Sequence, residues 1–456
     1  MAGIGFELRK LLRKESYSGL IQAYAYAGII SSGPWVLSIV GILVIGLLSS
    51  TASGTSLLVS QFQVSVTYLM ASSLVLTGIV QLGFTRFIAD RLFEKKDALV
   101  MPNFNGLMLV VILVSGGVGM AMLLVYFPNQ SDLYRVLMLS GFVIMCCIWV
   151  ATIFLSGMKQ YKQIVRMFGV GYAITVVSAL VLRPLGLEGL LLGFVIGHFV
   201  LLTGMMTLTL RNYPSDHFIA FGFLKKDAMY PTLIWTGLFY NAGIWADKLL
   251  FWFDPVTGQD VIGPLRASLI YDVPVFLAYL AIIPGMAVFL VRIETDFVEY
   301  YEKFYGAVRD GGSLDHIEQM RDEMVLTIRQ GVYEIMKIQT IAVLLAFVAG
   351  PTVLGWLGIS QLYLPLLYVD VVAAGLQVVL LGILNIFFYL DKRITVTFLT
   401  ALFLILNIGF SALTLKLGAP YFGYGFALAL LATVLVALTM LEEKLKHLEY
   451  ETFMLQ

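Results

Sequence analysis

The chain has 456 residues, of which 59% are hydrophobic and 13% are charged, and its formal net charge is zero. With a mean hydropathy of +0.90, this composition excludes an ordinary soluble protein, whose surface is far more polar. The balanced charge supplies no field that would attract nucleic acid. About twelve apolar stretches reach the roughly 20 residues that a membrane crossing requires. We therefore expect an all-α polytopic membrane protein with about 12 transmembrane helices.

The apolar stretches give the position of each expected span. In chain order they cover residues 20–48, 63–84, 103–127, 134–157, 164–183, 187–210, 229–252, 268–291, 335–357, 362–389, 394–415 and 420–441. With the N-terminus inside, the cytoplasmic segments hold about 24 of the 29 Lys and Arg residues, as the positive-inside rule requires. An even number of spans then places both termini in the cytoplasm.

The spans fall into two groups of six, a plan that is common among transporters. The expected parts are an amphipathic cytoplasmic N-terminus, a first six-helix lobe, a cytoplasmic linker, a second six-helix lobe and a cytoplasmic tail. Their ranges are 1–19, 20–210, 211–228, 229–441 and 442–456.

Polar and aromatic residues interrupt the first, sixth and seventh spans. Such groups are tolerated in a bilayer where other helices or a wet cavity satisfy them, and a proline bends its helix. The alternative is helix packing through small residues, with tyrosines at the membrane interface. The candidates for lining a cavity and binding substrate are Tyr26, Ser31, Ser32, Pro34, Trp35, His198, Trp235, Tyr240, Asn241 and Trp245.

Besides Glu188, which opens the sixth span and can reach the headgroups, three carboxylates lie inside expected spans, where a charge costs about 2.5–3.5 kcal/mol on insertion scales. Asp247 precedes Lys248, which could neutralise it, and Asp272 lies close enough to the interface to reach the headgroups. Asp370 is harder to place at an interface. The candidates for ion or proton coupling are these three residues with two polar residues of the eleventh span, Asp247, Asp272, Asp370, Asn407 and Ser411. Single amides in a span more often join helices than bind ligands.

The longest polar segment, 294–336, is expected to be a cytoplasmic helical hairpin. Gly311 and Gly312 interrupt it, and Ser313 is suited to cap the returning helix. A stripe of apolar residues at helical spacing follows. It predicts either packing within the hairpin or a docking surface for a cytoplasmic partner, with Ile317, Met320, Met324 and Ile328 as the docking candidates.

The sequence offers little for catalysis. The two cysteines, Cys146 and Cys147, are adjacent within one span, which is neither a disulfide framework nor a zinc site. No phosphate-binding loop, metalloprotease motif or dinucleotide fingerprint occurs. We expect no enzyme activity, no cofactor and no metal site.

Three segments carry a resemblance to a known family: GIGFELRKLL (3–12), AYAYAGIISSGPW (23–35) and YYEKFYGAVRDGGSLDHI (300–317). They resemble the PelG family of exopolysaccharide transporters, part of the multidrug/oligosaccharidyl-lipid/polysaccharide flippase superfamily. The resemblance extends over the whole chain. It implies two six-helix lobes around a central cavity, with the first and seventh spans lining the cavity.

The resemblance also implies a function. A family member would move a GalNAc-rich glycan, or its precursor, from the cytoplasm to the periplasm across the bacterial inner membrane by alternating access. The implied partners are PelD, PelE and the glycosyltransferase PelF. Related flippases hold a cation between carboxylates of the seventh and eleventh spans. Asp247 could supply the first, but Asn407 and Ser411 stand in the eleventh, which puts cation coupling in doubt.

Two other functions fit the composition. A cation-coupled multidrug exporter would need a compact cavity and no long cytoplasmic hairpin. A non-transporting scaffold of a polysaccharide synthase complex would gain nothing from buried carboxylates.

Overall fold

The computed structural model describes residues 17–50, 56–158 and 160–454. Apart from one small hairpin of strands and the connecting segments, the described chain is helical. Its helices are α1 (Tyr17–Ser50), α2 (Ser56–Phe93), α3 (Val100–Tyr126), α4 (Asp132–Gly157), α5 (Tyr161–Leu182), α6 (Leu187–Asn212), α7 (Pro231–Phe253), α8 (Leu269–Ala278), α9 (Ile283–Val291), α10 (Val298–Arg309), α11 (Leu314–Trp356), α12 (Leu364–Tyr389), α13 (Arg393–Leu417), α14 (Tyr424–Lys446) and α15 (Leu448–Met454).

Each of the twelve predicted spans overlaps helical structure over most of its length, with differences of one to a few residues at some ends. In the part of the chain that the structure describes, ten helical stretches are long and apolar enough to cross a membrane. The other two predicted spans correspond to α1 and α7, which carry the polar residues noted above.

The eighth predicted span is a broken helix, and we call the stretch Leu269–Arg309 span 8. A 3-10 turn (Tyr279–Ile282) separates α8 from α9, and a π-helical turn (Arg292–Phe297) separates α9 from α10. Pro284 explains the first break, because proline has no amide hydrogen to donate within the helix. At the second, the Thr295 hydroxyl donates to the Leu290 carbonyl at 3.1 Å, five residues earlier.

The segment between α7 and α8 contains two strands that the sequence analysis did not predict. Strands β1 (Gln259–Ile262) and β2 (Leu265–Ala267) pair antiparallel. The hairpin is held to α2, because the Tyr68 hydroxyl donates to the Arg266 carbonyl at 2.9 Å.

The contacts divide the chain into two compact units, taken over the described residues. Unit 1 is Met1–Ser32 with Leu269–Gln456, and unit 2 is Gly33–Ser268. Unit 2 therefore includes α7, whereas the predicted lobes 20–210 and 229–441 separate α7 from the earlier helices. The reason is a close crossing of α7 and α2, where a Cβ at Gly237 would lie 2.1 Å from the Gly78 carbonyl oxygen.

Candidate functional site

Helix α7 of unit 2 holds a fully buried ion pair. The Lys248 ammonium lies 3.1 Å from Asp247 Oδ2, and the two side chains are 1% and 0% exposed. The ammonium also donates to the Ile244 carbonyl at 3.0 Å, one helical turn earlier. Two adjacent residues thus neutralise each other inside the unit, and Lys248 does not reach the membrane surface.

The cavity candidates of α7 do not share one surface. Trp235 is 51% exposed, whereas Trp245 is buried and its ring lies 6.2 Å from that of Trp252. Tyr240 is half-buried. The Asn241 amide donates to the Gly237 carbonyl at 2.9 Å, at the crossing with α2. Asn241 therefore serves the helix crossing, and Trp235 and Tyr240 keep the exposure that a ligand contact needs.

The candidates of α1 are less completely described. Tyr26 is half-buried. The side chains of Ser31, Ser32, Pro34 and Trp35 lie outside the described residues, so the prediction that they line a cavity stays a prediction.

The structure gives His198 a packing role instead of the predicted cavity position. It is 2% exposed, its Nδ1 bonds the Phe194 carbonyl at 2.9 Å, and its Nε2 lies 3.3 Å from the Tyr172 hydroxyl. Because a carbonyl only accepts, Nδ1 carries the proton and the Tyr172 hydroxyl donates to Nε2. Both ring nitrogens are occupied by α5 and α6, so His198 fastens two helices and presents no free group to a substrate.

The coupling candidates of unit 1 are all buried. Asp272 is 9% exposed and Asp370 is 2% exposed. Asp370 lies beside the start of α14, where a Cβ at Gly423 would be 3.0 Å from its Oδ1. In α13, the Ser411 hydroxyl donates to Asn407 Oδ1 at 2.9 Å, so these two residues satisfy each other. Within the described chain, no three His, Cys, Asp or Glu side chains group as they would around a metal ion.

The predicted hairpin is present, and its apolar stripe packs within the same chain. Ser313 caps α11, since its hydroxyl accepts from the His316 amide. Ile317, Met324 and Ile328 are 6%, 0% and 0% exposed, and Met320 is only half-buried. The docking prediction is therefore wrong for the three buried residues. Helix α11 packs against α10, the extension of span 8, within the same chain.

The sequence analysis missed a charged cluster at the π turn of span 8. Arg292 is held by Glu334 of α11 through two bonds, 2.6 Å from Nε to Oε2 and 2.9 Å from Nη2 to Oε1, and by Asp296 at 2.7 Å. Glu294 accepts from the Asn385 amide at 2.9 Å and the Tyr389 hydroxyl at 3.0 Å, both from α12. Glu294, Asp296 and Glu334 fell within the predicted hairpin 294–336, and nothing in their spacing marks a π turn.

Helix α2 carries a second polar feature that went unnoticed. Trp149 Nε1 donates to the Ser73 hydroxyl at 2.9 Å, and the Gln81 amide donates to the Thr77 hydroxyl at 2.8 Å. The signal was in the sequence, because Ser73, Thr77 and Gln81 recur every four residues along one helix face.

One family matches almost the whole chain. Its description reads "PelG: Putative exopolysaccharide Exporter (EPS-E)", and the match covers residues 1–453. The chain belongs to the PelG family. The resemblance noted in the sequence is thereby confirmed, and the chain is a transmembrane transporter of an exopolysaccharide exporter family. Among curated protein sequences, none matches the chain.

Solved structures with a similar fold are transporters of the MOP superfamily. An outward-facing multidrug resistance MATE family transporter is 13% identical, with a TM-score of 0.63 over 94% of this chain and 96% of the other. A MOP superfamily transporter from Pyrococcus furiosus, whose title reports a binding pocket of reverse polarity and suggests a different function, is also 13% identical, with a TM-score of 0.64 over 93% and 96%. An inward-facing MATE family transporter is 12% identical, with a TM-score of 0.63 over 93% and 96%. At these identities the likeness shows the fold alone, and it confirms the predicted fold class.

Proposed function

We propose that this chain moves an exopolysaccharide, or its lipid-linked precursor, from the cytoplasm to the periplasm by alternating access. The observation that carries the proposal is the family match over residues 1–453. The MOP transporter fold over 94% of the chain supports it. A GalNAc-rich glycan of the Pel type is the substrate that the family implies. The chain itself performs no covalent chemistry, and its cycle needs only different affinities for glycan in its two states.

The hydrogen bonds and ion pairs described above reduce the number of candidates for proton or cation coupling. Asp247 is already neutralised by Lys248, and Asn407 is bonded to Ser411. We assign proton or cation coupling to Asp370 and Asp272, because both carboxylates lie inside predicted spans and are only 2% and 9% exposed. Protonation of either would remove a charge from the bilayer core, a change large enough to shift a two-state equilibrium.

The experiment is export by cells that lack the chromosomal gene and carry a plasmid copy. We expect parental protein to restore extracellular glycan, whereas Asp370→Asn and Asp272→Asn are expressed normally but lower export at least tenfold. The matched control is Thr400→Val, which removes a buried hydroxyl that donates only to the Val396 and Thr397 carbonyls of its own helix. If both Asp variants export as much glycan as the parental protein does, the coupling assignment is contradicted.

The same cells separate the two alternative functions. A multidrug exporter would change resistance to cationic drugs and leave extracellular glycan unchanged. A non-transporting scaffold would restore export in both carboxylate variants and fail only when assembly with its partners fails. Co-purification with PelD, PelE and the glycosyltransferase PelF, which we propose as partners, measures that assembly.

We also propose that the chain lies in the bacterial inner membrane with both termini in the cytoplasm. Cysteines at Val256, which is 89% exposed, and at Gln361 should react with an impermeant reagent from outside, and one at Ser313 should not. Thr257 is unsuitable for labelling because it is buried and bonded to the Phe251 carbonyl. Outside labelling at Ser313 would reverse the orientation.

A further inference from the structure

Five half-buried side chains of unit 1 form a patch beside the π turn, which we call the Glu294 patch: Glu294, Tyr301, Tyr305, Asn385 and Tyr389. They come from the π turn, α10 and α12. The hydrogen bonds from Asn385 and Tyr389 to Glu294 fix the carboxylate on the α12 side of span 8.

Among the residues that the structure describes, no cation is paired with the charge of Glu294. The nearest arginine in sequence, Arg292, is already bonded to Glu334 and Asp296. Glu294 forms no ion pair with any residue that the structure describes, and its partners are two neutral donors. A carboxylate offers about four acceptor positions, so acceptor capacity is left for further hydroxyl or amide donors.

Tyrosine rings continue the patch along α10. The centroids of Tyr301 and Tyr305 are 4.6 Å apart, and those of Tyr301 and Tyr389 are 5.8 Å apart. Phe297 is fully buried and packs edge-on against Tyr389 at 5.5 Å, which holds the rings in place from beneath. From Glu294 to Tyr305 the helix rises about 16 Å. That length accommodates several linked sugar rings.

We propose that the Glu294 patch binds sugar rings of the exported glycan, an inference that rests on the proposed function. The apolar faces of the sugars stack on the tyrosine rings, whose surfaces are apolar while their hydroxyls remain polar. Sugar hydroxyls or N-acetyl amides donate to Glu294, and the Asn385 carbonyl adds an acceptor. With both termini in the cytoplasm, the patch lies on the side where the glycan is made, and it loads the transporter.

The chemistry of the Glu294 patch favours a sugar over an anion or a metal ion. A phosphate or another anion would be repelled by Glu294, beside which the described part of the chain places no paired cation. A small metal ion would need more oxygen ligands than one carboxylate and one amide carbonyl supply. An organic cation is the competitor, because tyrosine rings and a carboxylate attract it as well, and the experiment includes it.

The experiment uses the full chain in nanodiscs and measures the Kd of a hexasaccharide of N-acetylgalactosamine. Glu294→Gln keeps the shape and removes the charge, and Tyr301→Ala removes a ring. We expect each to weaken binding at least tenfold. The control is Tyr300→Ala, since the neighbouring Tyr300 lies under the Lys303 ammonium at 4.6 Å and belongs to no part of the patch. We expect its Kd to equal that of the parental protein.

Three results would overturn the proposal: no hexasaccharide binding by parental protein, equal Kd values for parental protein and Glu294→Gln, or binding of tetraphenylphosphonium that the hexasaccharide does not displace. Thermal stability of each variant is measured on the same preparations, and Glu294→Gln answers the question if Tyr301→Ala fails to fold. Export in cells tests the proposed function separately. Normal export by a protein that does not bind the hexasaccharide would contradict the proposed glycan site but not the proposed function. Export that is the same with and without the chain would contradict the proposed function itself.

Discussion

Helix α7 and span 8 both carry charged residues, but they satisfy them in opposite ways. In α7 the helix is continuous, and Lys248 bonds its neighbour Asp247 and the carbonyl of Ile244. In span 8 the helix is broken twice, and other helices supply the partners. Glu334 of α11 holds Arg292 at the π turn. Gln339 of α11 donates to the Ala281 carbonyl at 2.9 Å, within the 3-10 turn.

The difference separates two kinds of polar group in one membrane protein. The bonds of Lys248 to Asp247 and to the Ile244 carbonyl lie within one helix, so their lengths do not depend on the spacing between helices. Breaks held by side chains from another helix depend on that helix staying in place. Span 8 is therefore the element whose shape can change with the packing of α11, as π turns at functional sites suggest.

The largest expected loss of stability comes from breaking the α7 ion pair. Asp247→Asn leaves the Lys248 charge buried without its carboxylate, and breaking a buried pair costs about 3–5 kcal/mol. We expect a large loss of thermal stability in nanodiscs. The double variant Asp247→Asn, Lys248→Met should regain most of it, because no unpaired charge remains. An Asp247→Asn protein that is as stable as the parent but exports nothing would return Asp247 to a coupling role.

The second prediction concerns the clamp on the π turn. Glu334→Gln removes a paired, charge-assisted bond to Arg292, worth about 1.5–3 kcal/mol. Asp296 remains bonded to Arg292 and still balances part of its charge. The control is Glu299→Gln, whose partner Lys303 is 46% exposed in a surface pair that contributes about 1 kcal/mol or less. Thermal unfolding of the two variants compares them directly. Equal losses would show that the π turn does not depend on α11.

The third prediction, with the smallest expected effects, compares two Gly→Ala variants. In one the new Cβ meets a backbone atom, and in the other it meets a side chain. In unit 2, Gly237→Ala brings a Cβ against the Gly78 carbonyl, a backbone atom that cannot turn aside. In unit 1, Gly375→Ala meets the Gln339 side chain at 2.8 Å. Overpacking of this kind costs about 1–3 kcal/mol.

A rescue variant sharpens that contrast. We expect Gly375→Ala to cost little further stability in a Gln339→Ala background, because that background lacks the atoms in the way, although it has itself lost the bond to the Ala281 carbonyl. No single side-chain change should rescue Gly237→Ala. Denaturation temperatures of the single and double variants decide the matter. If Gly375→Ala lowers the denaturation temperature equally in the parental and Gln339→Ala backgrounds, the new Cβ at position 375 is crowded by something other than the Gln339 side chain.

Much of the helical layout could be predicted from the sequence. Every predicted span is largely helical because a run of about 20 apolar residues in a bilayer has to satisfy its own backbone hydrogen bonds. The hairpin and its cap at Ser313 were equally readable, since two glycines followed by a serine form a local signal. The membership of the PelG family followed from local segments too.

Side-chain partners were not readable in this way. The spacing that exposed the stripe of Ile317, Met324 and Ile328 could not tell whether a partner or the same chain covers it, and only the packing of α11 on span 8 decided that it is buried. His198 was taken for a cavity residue because its bonds to Phe194 and Tyr172 depend on how α5 meets α6.

The sequence by itself determined that this protein crosses a membrane, where its helices run and which family it belongs to. These properties depend on composition and on neighbours along the chain. The tertiary structure alone decided that α7 packs with α2 at Gly78, that span 8 is broken and clamped by α11, and that Glu294 meets Asn385 and Tyr389. The physical reason is that hydrophobic periodicity is read over a few residues, whereas hydrogen bonds between helices of the described chain join groups as far as 128 residues apart, as Arg321 and Glu449 are.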